Sequence, residues 1–592
     1  MGQYLSKVLY VLSGKRSRLV VMLGVFVAVS VLEALGIGLI GPFLSIVSEP
    51  SIVREKAWLW PLFESAGLES DRQVIVASAV LVIGVLLFKS IAYFLCKVYI
   101  YRFGYWQKQE LEARLVYTYL NISYLFHLNR NSATLVKNIA FESIQFTSNC
   151  LIPLLEIVAN VFIVTLLMGL LAVTDWTLLA MALAMLLPIF LIFARLSRRI
   201  RRWGRLRSDA QGSMMRSINH GLGGLKETKV LGCEQYFERD LRRYSKQFGD
   251  ASALVDSFQL MPKVAIESAL VVFLIVFMLV SQLVLGRSLE ELTAVMGVFA
   301  VASIRMIPAS SQVLNAVGRM RAMSYALDML YNDLKEIEAY DLPAALKTSR
   351  RMRTVKPQFN ESVTLDDVTF YYPNTAEPAI ENLSLTIKKG ESIALVGKSG
   401  SGKTTLVDII LGLLMPSSGD IRLDGKSVYT DVRSWQNLLG YIPQSIFLTD
   451  ESMAENIAFG VPKEEIDPER LQMAVKAAQL ETLVEQLPEG LDTMVGERGM
   501  RISGGQRQRV GIARALYHGR EILVLDEATS ALDSETEKLV SDAINGLAGD
   551  KTLIIIAHRL STIEGCDRVY RLDNGRIEKT GTYAEVVLAG SR

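Results

Sequence analysis

Cysteine is scarce and scattered: Cys96, Cys150, Cys233 and Cys566 are the only four in 592 residues, with no C-x-x-C spacing and no histidine cluster beside them. They read as free thiols, which leaves no disulfide framework and no cysteine-based zinc site to organise the chain. An excess of either charge is missing too. The balance is +2 at neutral pH, so net charge says little and only its distribution is informative. Residues 1–19 carry Lys7, Lys15, Arg16 and Arg18 but lack a small-residue cleavage site before the first long apolar run. That argues against a cleaved signal and for an amphipathic elbow helix on the cytoplasmic surface.

What is abundant is apolar surface: half of the residues are hydrophobic and the mean hydropathy is +0.29. A chain of this length and composition suits a membrane region joined to a soluble unit. Six apolar segments are long enough to span a bilayer, at about 20–47, 74–95, 151–173, 176–194, 264–285 and 292–312. Arg195, Arg198, Arg199, Arg201, Arg202, Arg205 and Arg207 follow the fourth segment. Their place at a helix exit is the positive-inside signature, so this link and both termini are expected to be cytoplasmic, and the run is not a nucleic-acid patch. The links at 97–149 and 195–262 are long and polar with helical periodicity, which predicts helices continuing below the membrane. Their tips, near 121–132 and 213–226, are the candidate coupling contacts. Between spans one and two, Trp58, Trp60 and Phe63 stand among Arg54, Glu55 and Lys56, the composition of a short helix at the outer interface.

Ionisable groups inside spans require an account. Lys89 and Arg305 both fall in the cytoplasmic half of the bilayer by their depth along their helices, and Lys263 lies at or below that level. Three cations there would suit an anionic head group taken from the inner leaflet. Pairing with Glu267, Glu33 or Glu156 is the competing account. The match of Gly36-x-Gly38-x-x-Gly41 to a dinucleotide fingerprint lies inside a span without a preceding strand; these glycines suit close helix packing or a bend before Pro42.

The second half is organised around Gly397-Lys398-Ser399-Gly400-Ser401-Gly402-Lys403-Thr404, the G-x-x-x-x-G-K-[ST] phosphate loop, between an apolar strand and a helix that opens with Thr405 behind it. Its glycines let backbone N–H groups wrap a triphosphate, and the following helix points its positive end there. Lys403 is placed to neutralise the β- and γ-phosphates of ATP and Thr404 to hold Mg²⁺. A second apolar strand leads into Asp526-Glu527. Asp526 would complete the Mg²⁺ shell, leaving Glu527 to polarise the attacking water.

From 363 to the C-terminus, beyond a charged linker at 331–362, the pattern is α/β and resembles an ATP-binding-cassette (ABC) domain. The resemblance implies that Tyr372 of F-Y-Y-P stacks on adenine. It implies that Gln444 of Y-I-P-Q senses Mg²⁺ and the water, and that His558 reaches the γ-phosphate. Ser503, Gly504, Gly505 and Gln506 resemble the family signature, with Ile502 in place of the usual Leu, and Ser530-Ala531-Leu532-Asp533 resembles the loop that follows. In that family the signature helix caps ATP held by an opposite domain. A single chain has one cassette and six spans, so a homodimer with two composite ATP sites is expected. The implied fold is a six-helix α transmembrane domain of exporter type at 1–330, followed by an α/β P-loop cassette at 363–592.

Three stretches, L-E-A-L-G-I-G-L-I-G-P-F at 32–43, G-L-G-G-L-K-E-T-K-V-L-G at 221–232 and R-M-I-P-A-S at 305–310, resemble the PglK-like bacterial flippases. That family turns over polyprenyl-pyrophosphate-linked oligosaccharides for protein glycosylation, which implies a membrane-lipid substrate of this kind in the cytoplasmic membrane. An exporter of another amphiphile, lipid A or hydrophobic drugs, is the other expectation.

Overall fold

A computed structural model describes residues 2–12, 16–39, 42–43, 46–47, 70–128, 130–174, 176–283, 289–339, 356–373, 375–495, 502–526, 534–556 and 563–588. The aromatic stretch around Trp58 lies outside them. The chain divides into two compact units, residues 1–121 with 131–339, and residues 122–130 with 340–592.

The first unit is built on long helices: Arg16–Gly38, Asp71–Asn121, Ile152–Thr174, Trp176–Gly223, Glu234–Leu283 and Leu289–Ala322. At 1.5 Å per residue a 51-residue helix such as Asp71–Asn121 is about 76 Å long, far beyond a 30 Å hydrocarbon core. Among the described residues three helical stretches, Asp71–Asn121, Ser132–Gly169 and Glu234–Val280, are long and apolar enough to cross a membrane. Their apolar residues are not all inside: Val80, Phe88 and Phe94 are more than 60% exposed along one helix, and Val264, Val271 and Ile275 stand out on another. A surface of that kind needs lipid or a second copy against it.

In the first span the helix Arg16–Gly38 is followed by helical residues at 42–43 and 46–47. One expectation is corrected here. The linker does not begin at residue 331, since Ser324–Ala339 is a helix of the first unit. Its Leu327, Leu330, Leu334 and Ile337 recur at helical spacing and are all buried, and that stripe outweighs the charges on its other face. The buried Asp333 accepts hydrogen bonds from Tyr119 and from Asn138, the latter at 3.2 Å. The elbow helix Gly2–Val11 packs on the same helix, with Val8 and Val11 buried and Lys7 2.6 Å from Asp328.

Among the described residues the second unit carries ten strands: β1 (Ser362–Phe370), β2 (Ile380–Lys388), β3 (Ser392–Val396), β4 (Ser418–Leu423), β5 (Lys426–Ser427), β6 (Leu439–Ile442), β7 (Ile522–Asp526), β8 (Thr552–Ile556), β9 (Arg568–Asp573) and β10 (Arg576–Gly581). They form an antiparallel sheet, β2-β1-β4-β5, and a larger sheet, β10-β9-β3-β8-β7-β6. In the larger one β3, β8, β7 and β6 run parallel. These central strands are almost continuously apolar and buried, as parallel strands covered on both faces must be.

Candidate functional site

Register places the site. Leu395 pairs with Ile556, Ile556 with Asp526, and Ile442 with Leu525, so four parallel strands finish along one edge. Ligands of open α/β sheets bind outside such carboxyl ends. The phosphate loop leaves β3 at this edge, and β6 ends two residues before Gln444. β7 and β8 stop immediately before Glu527 and two residues before His558; Glu527, His558 and Asp533 lie outside the described residues.

Loop geometry explains two of its glycines. Gly397 has φ +154° and a Cβ there would stand 2.3 Å from the Leu572 carbonyl oxygen; Gly402, at φ +101°, would meet the Ala379 oxygen at 2.9 Å. Gly402 then opens the helix Lys403–Ile410, whose first N–H groups face the loop. Lys403 is almost fully buried, and its ammonium donates to the carbonyls of Gly397 at 2.8 Å and Lys398 at 2.9 Å. The loop backbone thus pre-positions the charge that a phosphate would receive. The buried Ser401 hydroxyl has no hydrogen-bond partner among the described residues.

A cavity of about 590 Å³ opens over this loop, within the usual size for a small-molecule site of about 300–1,000 Å³. Tyr372, Ser399, Gly400, Gly402, Lys403, Thr404 and Thr405 all line it, together with Glu377, Asn574 and Gly575, which sequence reasoning did not single out. The Tyr372 phenol is 3.0 Å from the Thr405 hydroxyl, and its ring meets Phe370 edge-on at 5.1 Å. Adenine-sized stacking needs a ring fixed in this way.

None of Ser503, Gly504, Gly505 or Gln506 lines that cavity. They begin the helix Gly504–Tyr517 in a capping box, the Gln506 side chain accepting from the Ser503 N–H at 2.7 Å. Further along this helix, Gln508 donates to the Gln444 carbonyl at 2.6 Å, which joins the signature element to the Gln444 loop.

Asp526 has a neighbour that the motif pattern passed over. Tyr441, in the Y-I-P-Q run, donates to the Asp526 carboxylate at 3.2 Å. Asp408, five residues after Lys403, stands close enough for its carboxyl to be pushed up to about 6, by burial first and then by the charge of Asp526.

The first expected tip behaves differently from the second. Residues 122–130 group with the cassette although they lie between two helices of the other unit in sequence. Leu125 packs on the cassette core, and Tyr124 has its phenol pKa raised by burial, then by Asp408 and Tyr372. The second tip, around the helix Leu225–Leu231, leaves Leu222, Val230 and Leu231 exposed at 66%, 79% and 76%.

The three cations of the membrane half do not share one environment. Lys263 stands 3.8 Å from Glu267 with 63% of its side chain exposed. Lys89 lies over Gly36, where a Cβ would stand 2.9 Å from its Cδ. The side chains of Arg305 and Glu33 are outside the described residues. Glu156, weighed as their counter-charge, instead takes Lys97 at 3.2 Å and Arg319 at 2.7 Å, two cations the sequence reading omitted.

A nucleotide site on an α/β cassette, preceded by helices long enough to cross and overshoot a membrane, defines an ATP-driven membrane machine. Comparison with known proteins gives the family. Residues 19–304 match the family model described as ABC transporter transmembrane region, and residues 380–530 match the one described as ABC transporter. A protein named ATP-dependent lipid A-core flippase from Thiobacillus denitrificans is 31% identical over 564 residues, 94% of each chain. One of the same name from Cupriavidus metallidurans is 33% identical, over 86% of this chain and 84% of its own. A solved bacterial Atm1-family ABC exporter superposes with TM-score 0.72 at 22% identity, covering 97% of both chains. The chain belongs to the ABC transporters, as a half-molecule of exporter fold with one transmembrane and one ATP-binding region, and it is an ATPase coupled to transport.

Proposed function

We propose that this chain acts as a homodimer that uses ATP to move a phosphorylated lipid from the inner to the outer leaflet of a bacterial cytoplasmic membrane. The supporting observation is similarity over 94% of the chain to a protein named for flipping lipid A-core, so a lipid of that class is the first substrate in this reading. The stretches at 32–43, 221–232 and 305–310 favour a second one, a polyprenyl-pyrophosphate-linked oligosaccharide destined for protein glycosylation. Both present phosphate beside an apolar anchor, the chemistry that Lys89 and Arg305 would meet. Lys263 is a weaker member of this set because Glu267 already shares its charge.

In the ATP site, Tyr372 would receive the base, and the loop 397–404 with Thr405 the phosphates. Thr404 and Asp526, a hydroxyl and a carboxylate, are hard oxygen donors of the kind Mg²⁺ takes, with Gln444 from the neighbouring loop. Bound there, Mg²⁺ would neutralise phosphate charge. Glu527 orients and deprotonates water, His558 and Gln444 hold the γ-phosphate and the water, and Ser503, Gly504, Gly505, Gln506 and Asp533 complete the partner's site.

The test is transfer of defined lipids in proteoliposomes, lipid A-core in one set and a polyprenyl-pyrophosphate oligosaccharide in another. ATP-dependent loss of lipid from the loaded leaflet in either set supports the flippase reading and selects the substrate; robust ATPase with neither lipid moved would overturn it. The exposed second tip supports the homodimer, since an apolar tip of this kind fits a partner's cassette. Leu231→Asp is therefore expected to cut lipid transfer at least about tenfold while ATP still binds, as expected when a buried apolar anchor is lost from an interface. Transfer and nucleotide binding measured on the same vesicles check this.

A further inference from the structure

Asp526 is the last residue of β7, and a terminal carboxylate on a strand has rotational freedom unless something holds it. Tyr441 supplies such a hold. It sits on β6 directly beside Val524, and because alternate residues share a sheet face its phenol reaches the Asp526 carboxylate two residues on, at 3.2 Å. The helix Gly504–Tyr517 is hydrogen-bonded to the loop just beyond Tyr441, through Gln508 and the carbonyls of Pro443 and Gln444.

We propose that Tyr441 is a positioning residue for the divalent metal of ATP, fixing the rotamer of Asp526 through its hydroxyl. This rests on Asp526 being the metal-binding carboxylate. Partners that orient a ligating carboxylate typically govern metal affinity by about 10–100-fold. Tyr441 carries no charge and should leave metal-free ATP binding alone.

The experiment uses the full-length protein in detergent or nanodiscs, titrated with Mn²⁺ in the presence of ATP and read by electron paramagnetic resonance of free Mn²⁺. Fluorescent-nucleotide binding in chelator gives the metal-free affinity. Tyr441→Phe keeps the ring and removes only the hydroxyl; it should weaken Mn²⁺ about tenfold with metal-free ATP binding unchanged. In steady state Tyr441→Phe should raise the metal concentration for half-maximal ATPase while kcat at saturating Mg²⁺ stays near wild type. Asp526→Asn separates the two readings. Should it retain wild-type Mn²⁺ affinity, the assignment of Asp526 as ligand fails. Should it lose Mn²⁺ while Tyr441→Phe binds as the wild type does, the positioning role of Tyr441 is overturned. A parallel loss of metal-free ATP binding in Tyr441→Phe would mark general damage to the site and overturn it equally.

Discussion

Glu527→Gln should bind ATP as the wild type does and hydrolyse it about 10²–10⁴-fold more slowly, the range that loss of a general base produces. The groups described at the nucleotide site explain why binding survives. The buried Lys403 ammonium is held by the Gly397 and Lys398 carbonyls, and Tyr372 by Thr405, so these contacts of the nucleotide site are made by other residues. Gln keeps the size of Glu and its hydrogen-bonding reach but cannot accept a proton. Turnover of radiolabelled ATP and binding of a fluorescent nucleotide, measured on one preparation, give both numbers. Hydrolysis at the wild-type rate would remove Glu527 from the proposed chemistry, and lost binding would move it from the reaction to the architecture of the site. Lipid transfer should vanish with hydrolysis, since an ATPase coupled to transport cannot complete a cycle without its reset step.

Glu156→Gln should lower the thermal midpoint of the purified protein by about 5–10 °C. Glu156 is 7% exposed and accepts from Lys97 of the helix Asp71–Asn121 and from Arg319 of the helix Leu289–Ala322. One carboxylate therefore ties three helices. Removing its charge leaves two half-buried cations facing each other, and breaking a buried pair in this way costs about 3–5 kcal/mol. For a unit of a few hundred residues, each kcal/mol moves the midpoint by about 2–4 °C; partial exposure of both cations places the expected loss toward the low end. The triple change Lys97→Met, Glu156→Leu and Arg319→Met should restore most of it, because replacing an entire buried ion cluster with apolar residues is close to neutral. Intrinsic fluorescence during heating in detergent compares the three proteins. An unshifted midpoint for Glu156→Gln would show that water already screens the cluster.

How much was legible depended on whether the information was local. The phosphate loop reads from eight consecutive residues because its chemistry demands those types in that order: glycines where a Cβ would strike the Leu572 or Ala379 carbonyl, then a lysine and a hydroxyl. Where propensity and pattern competed, the reading went astray. The charges from residue 331 onward suggested a linker, yet Leu327, Leu330, Leu334 and Ile337 formed a buried stripe that decided for a docked helix through residue 339. Tyr441 was in plain view within Y-I-P-Q but carries no motif role; only its place beside β7 gives it one.

The sequence by itself determined the division into apolar spans and a cassette, the identity of the phosphate-binding loop and the family, because bilayer length and phosphate chemistry act on contiguous residues. Only the tertiary structure decided which charges meet and which tip belongs with which unit. Glu156 and Arg319 are 163 positions apart and Tyr441 and Asp526 are 85 apart. Residues 122–130 join the cassette from the far side of the chain. Pairings at such separations are set by how helices and strands pack, and short-range periodicity along the chain has no means of encoding them.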